Sequence, residues 1–186
     1  LGDVYKRQLF IQHMRSINLI VVHCSATRAD HALTTENLES EHRRRGFHGI
    51  GYHYYIRRNG DIKTLRPMTQ PGAHVRGYNA HSLGICYEGG LDAHGHPADT
   101  RTDFQKHSLR VLVMLLLRDY PGSRLCGHRD LSPDLNRNGE IEPEEWIKAC
   151  PCFDAASILQ EPPPPNPVSV SSTHLRAHET DQYLVC

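Results

Sequence analysis

Apolar positions along the chain fall into short runs separated by turn residues. Ile17-Asn18-Leu19-Ile20-Val21-Val22-His23 is almost continuously apolar and of strand length, the pattern of a central strand covered on both faces. Thr34 or Thr35 can cap a helix running to Arg45, where Gly46 supplies a stop. Tyr52 to Arg57 alternates, Asn59-Gly60 predicts a type I′ turn, and Asp61 to Leu65 returns, together a hairpin. Leu83 to Tyr87 reads as a further strand ended by Gly89-Gly90. Thr102 and Gln105 form a capping-box pair ahead of a helix from Asp103 to Arg118. Ser123 to Cys126 is a short last strand. Strands and helices alternating in this way predict an α/β class: one domain with a central mixed β-sheet flanked by helices.

The chain's 186 residues suit one domain with a real core. Lys plus Arg and Asp plus Glu both number 21, so no bulk charge points to nucleic acid or an anionic membrane. The longest apolar run, Val111 to Leu117, is too short to span a bilayer. No basic segment precedes an apolar one near the start, so synthesis in the cytoplasm is expected. The six cysteines then read as thiols and one metal ligand rather than a disulfide framework. Residues 1–13 show no periodicity, and Met14-Arg15-Ser16 reads as a natural start. Residues 161–186 open with Glu161-Pro162-Pro163-Pro164-Pro165-Asn166-Pro167, which forms neither helix nor inner strand, and continue without pattern. Both flanks are read as sequence foreign to the fold, leaving 14–160 as the domain; a Pro-rich linker to a further module is the alternative for the tail.

Three residues far apart in sequence carry the candidate chemistry. His23 ends the first apolar run, His128 sits in Leu125-Cys126-Gly127-His128-Arg129-Asp130, and Cys150 sits in Lys148-Ala149-Cys150-Pro151. Two imidazoles and a thiolate suit Zn²⁺ and leave a fourth position open for water. Most of the 14 histidines must be structural or solvated: His94 and His96 read as a loop, and His31, His42 and His107 as surface.

The segments Val22-His23-Cys24-Ser25-Ala26-Thr27, Gly51-Tyr52-His53-Tyr54-Tyr55-Ile56, Ala73-His74-Val75-Arg76-Gly77-Tyr78-Asn79, Ser82-Leu83-Gly84-Ile85-Cys86, Gly127-His128-Arg129 and Lys148-Ala149-Cys150-Pro151 occur in this order. In this the chain resembles the zinc-dependent N-acetylmuramoyl-L-alanine amidases, which include amidase-type phage lysozymes and peptidoglycan recognition proteins. The resemblance implies the amidase fold, zinc on His23, His128 and Cys150, and hydrolysis of the amide joining N-acetylmuramic acid to L-alanine. It implies a peptidoglycan or muropeptide substrate, a monomer, and action on the cell wall after release. Tyr52 matches the family tyrosine near the attacking water, and Lys148 the lysine that stabilises the oxyanion. His74 and Asn79 are expected along the substrate cleft, with His53 beside them or orienting a ligand. The chain departs from the muropeptide-recycling branch, which carries glutamate where Cys86 stands and aspartate as third ligand; the catalytic glutamate role is not transferred to Glu88. A peptidoglycan-binding module without catalysis is the competing reading, and the presence of Cys150, Tyr52 and Lys148 together favours the enzyme.

A second departure is an insertion between His128 and Cys150. Asp134-Leu135-Asn136-Arg137-Asn138-Gly139-Glu140-Ile141-Glu142-Pro143-Glu144-Glu145 fits a calcium-loop template, with Asp134, Asn136, Asn138, Glu140 and Glu145 as candidate Ca²⁺ ligands. A polar surface loop is the other reading.

Overall fold

The computed structural model describes residues 15–161; the expected leader, Met14 and the tail from Pro162 onward lie outside the described residues. Strand β1 is Leu19–Cys24, β2 Thr27–Arg28, β3 Tyr54–Ile56, β4 Ile62–Thr64, β5 Ser82–Tyr87, β6 Gly90–Leu91 and β7 Arg124–Gly127. Helix α1 is Thr35–Arg44 and α2 is Asp103–Asp119. The main sheet has the order β4-β3-β5-β1-β7, antiparallel only between β3 and β4, while β2 and β6 pair separately. It is the mixed sheet with flanking helices that the periodicity predicts.

Strand β1 is buried at all six positions, because the parallel pairs place it between β5 and β7 with side chains packed on both faces. Period-2 alternation sorts those side chains. Ile20, Val22, Leu83, Ile85, Tyr54 and Ile56 meet Leu109, Val113 and Leu116 of α2 in the main core. Each such aliphatic side chain contributes about 1.5–3 kcal/mol by leaving water. Leu19 and Val21 point to the opposite face, with Val75 and Cys126. Leu33, Leu38, Tyr55 and Cys86 extend that second face under α1. His23, Ser82 and Gly84 share its parity.

Helix starts follow the chemistry read from sequence. Thr34 accepts from the Asn37 amide at the start of α1, and the reciprocal box of Thr102 and Gln105 starts α2. Gln105 also reaches inward, donating to the Ile56 and Glu88 carbonyls. The hairpin turn differs from expectation. A type I′ turn needs positive φ at both central residues, yet only Gly60 has it, at 87°. The Gly60 amide bonds Arg57 O at 2.8 Å and Arg57 N bonds Asp61 O at 2.9 Å, so three residues make the connection, with glycine at the left-handed corner.

Arg101 clamps the last described segment. Its guanidinium lies 3.3 Å from the Phe153 ring centroid and pairs with Asp99 and Glu161 at 2.8 and 2.7 Å. Glu161, read from sequence as the first tail residue, is thus tied to the body. Among the described residues no helix is long and apolar enough to cross a membrane.

Candidate active site

The site forms at the C-terminal ends of parallel strands, where open α/β sheets commonly bind ligands. His23 is the fifth residue of β1, and His128 follows β7 directly, with its amide on Val22 O. Cys150 arrives from the other side of the insertion and is fixed by its neighbours. Its carbonyl accepts from the Arg129 amide at 2.8 Å, and the next carbonyl, of Pro151, accepts from the Tyr87 hydroxyl at 2.8 Å. The Cys24 amide points at Cys150 Sγ from 3.2 Å, a donor suited to a thiolate.

His23 Nδ1 lies 3.1 Å from His128 Nδ1 and 3.8 Å from Cys150 Sγ. Tetrahedral zinc with bonds of about 2.0–2.1 Å to nitrogen and about 2.3 Å to sulfur separates its ligand atoms by about 3.3–3.6 Å, so the trio fits that ion. Among the described residues, this is the group of His, Cys and carboxylate side chains gathered closely enough to hold a metal. Electrostatics also suit it. Burial, then the charges of His74, His128 and Lys148, hold His23 well below its ordinary pKa. Burial, then Lys148, brings His128 down to about 4. Both rings are neutral at neutral pH, as ligation requires.

Tyr52 packs its ring 5.1 Å from that of His23, and burial pushes its phenol well above the ordinary value, so it is a neutral donor. Lys148 is exposed beside the ligands, near enough for its charge to act on both histidines. His74 is buried, with Nδ1 2.9 Å from His23 Nε2. The Asn79 side-chain oxygen accepts the amides of His74 and Val75 at 2.9 and 3.1 Å, shaping the loop that carries His74.

Two further histidines are buried. His53 has no exposed surface; its Nδ1 accepts the Gly84 amide at 3.0 Å, and its Nε2 lies 3.1 Å from Gln70 O. Its ring packs 5.8 Å from that of His74. His42, expected at the surface, is buried one turn after Leu38 on the inner stripe of α1, with its ring 5.4 Å from Tyr52. The i, i+4 spacing to Leu38 is the signal that finds it. Ser82, buried 3.2 Å from His74 Nε2, went unnoticed in the sequence because a serine at a strand start carries no mark of its own.

Among the described residues, the insertion's carboxylates form no group close enough to hold a metal. Asp134 accepts the amides of Arg137 and Gly139, Asn136 that of Asn138, and Asn138 that of Glu140. Both Glu145 oxygens are taken, by the amides of Leu135 and Asn136 and by that of Glu142. The calcium expectation is therefore not supported: backbone donors use the side chains the template assigns to a cation.

The sequence matches the N-acetylmuramoyl-L-alanine amidase family over residues 13–145. Over 135 residues it is 38% identical to an endolysin of Klebsiella phage KP32, covering 73% of this chain and 80% of that one. A 101-residue stretch is 48% identical to an uncharacterized protein of Haemophilus influenzae, covering 54% of this chain and 87% of the relative. Among solved structures, the N-acetylmuramoyl-L-alanine amidase LysC from Clostridium intestinale superposes with a TM-score of 0.57 at 29% identity, over 75% of this chain and 78% of that one.

Proposed function

The chain belongs to the N-acetylmuramoyl-L-alanine amidase family, and on that premise we propose that it uses zinc on His23, His128 and Cys150 to cleave the amide between N-acetylmuramic acid and L-alanine in peptidoglycan. The observation that carries the reading is the convergence of those three ligand atoms at the sheet's C-terminal edge, each from a different part of the chain. Zinc supplies an acidified water and polarises the carbonyl to be attacked.

The chain's own groups do the rest. Cys24 N–H and the buried setting keep the Cys150 sulfur oriented toward His23. Tyr52, a neutral phenol against the His23 ring, donates a hydrogen bond at the attacking water or carbonyl. Lys148, exposed at the rim, offsets the negative charge that builds on the carbonyl oxygen. The relatives called endolysins support the cell wall as the place of action. We take the protein to act there as a monomer after synthesis in the cytoplasm. Incubating the zinc-loaded protein with purified peptidoglycan should release new L-alanine amino termini without new reducing sugars. Full zinc occupancy with no new termini would refute the activity.

A further inference from the structure

The ring of His74 is committed to the protein rather than to the substrate path. Its Nδ1 faces His23 Nε2 at 2.9 Å and its Nε2 faces Ser82 Oγ at 3.2 Å, so neither nitrogen is free. All three residues are buried: His23 is 1% exposed, Ser82 0% and His74 8%. The slot for the ring is made by glycines. A Cβ added at Gly84 would lie 2.7 Å from His74 Cγ, and one at Gly72 would lie 2.3 Å from His74 Cδ2. Gly84 and Ser82 lie two apart on β5, so both face the same side of the sheet as His23 on β1.

We propose that His74, backed by Ser82, is the positioning residue that fixes the ring orientation and tautomer of the metal ligand His23. This rests on the zinc assignment of the amidase reading. A nitrogen that binds a metal must present its lone pair. With His23 Nδ1 turned toward His128 and Cys150, the ring proton sits on Nε2. His74 Nδ1 then accepts that proton's hydrogen bond, which puts the His74 proton on Nε2, opposite Ser82 Oγ. A chain of hydrogen bonds thus runs from the ligand inward to the first residue of β5. Metal-binding histidines commonly rest their second nitrogen on a carboxylate or carbonyl. Here a neutral imidazole takes that place, so the ligand is oriented without adding negative charge beside the thiolate.

The test uses zinc alone as probe, with affinity read by chelator competition and the His23 ring nitrogens read by NMR. His74→Ala should weaken zinc by about 10–100-fold, the usual effect of losing an outer partner. His74→Asn, whose side-chain oxygen can stand where Nδ1 stood, should recover most of that affinity. Ser82→Ala should give a smaller loss with a shifted His23 signal. Gly84→Ala should displace the ring and weaken zinc with every donor still present. A folded His74→Ala protein that holds zinc as tightly as wild type, with only KM raised, overturns the proposal and makes His74 a substrate contact. If His74→Ala does not fold, unchanged zinc affinity and unchanged His23 signals in Ser82→Ala overturn it instead. The two readings fail separately. Loss of zinc in Cys150→Ser but not in His74→Ala defeats only this inference, whereas a wild-type protein that takes up no zinc defeats both.

Discussion

Acid should unfold the metal-free protein unusually early, because its site is founded on histidines buried in the neutral form. His53 is held down to about 4, chiefly by burial, and His74 to about 3 by burial and then the charge of His53. In the unfolded chain both return to the ordinary value of about 6.5. Below that value the unfolded state binds more protons than the folded one, so stability is complete above about pH 6.5 and falls as pH falls toward the folded values. At about pH 5 both rings remain neutral in the fold. The loss per ring is then set by the distance from 6.5 alone, about 2 kcal/mol each. Together they remove about 4 kcal/mol, a large share of the 5–15 kcal/mol typical of a domain. His23 and His42, also shifted downward, act with the same sign. Urea titrations of chelator-treated protein between about pH 7.5 and pH 5 measure the effect. His53→Asn keeps an acceptor for the Gly84 amide and removes one titration, so it should shrink the drop by about 2 kcal/mol. Unfolding free energy that stays level across this range would refute the argument.

Cys150→Ser should lose most zinc and all hydrolysis, since a hydroxyl is a far poorer soft ligand than a thiolate; one tightly held zinc per chain with full turnover would end the three-ligand assignment. Lys148→Ala and Tyr52→Phe should keep zinc and fold while turnover falls by about 10²–10³, the scale of one lost transition-state contact; zinc loss in either would make that residue structural. Glu145→Ala should lower the melting temperature, because it removes the acceptor of three backbone amides, and should do so equally with calcium or with a calcium-selective chelator. A wild-type melting curve that rises on adding Ca²⁺ would reinstate the cation in that loop.

Legibility followed the physics of each signal. The central strand, both helix caps and the hairpin were readable because apolar runs, Thr side chains and an Asn-Gly pair act locally. The type of hairpin turn was not, since Asn-Gly serves two turn geometries and the strand ends decide between them. His23, His128 and Cys150 were legible as a set only through the segments around them, because no local spacing unites residues so distant. The part proposed for His74 has no sequence signal for the opposite reason: its neighbours Ser82 and Gly84 are small residues that look unremarkable until the pleat lays them against one ring. The calcium template failed on competition. Asn and Asp oxygens serve a bent backbone's amides as readily as a cation, and sequence does not say which is nearer.

The order of strands has a consequence for the life of the chain before it is finished. β1 leaves the ribosome first, yet its hydrogen-bonding neighbours β5 and β7 begin at Ser82 and Arg124. Cys150 lies 127 residues after the histidine it faces. Pairing at such separations is slow, because loop closure must precede any stabilising contact. The growing polypeptide therefore carries an apolar strand with neither neighbour until β5 is made and with one edge open until β7 follows, a hazard for self-association in that interval. Nor are His23, His128 and Cys150 together in that interval. A hydrolase built this way stays silent through its own synthesis and switches on only as the last ligand folds back onto the first strand.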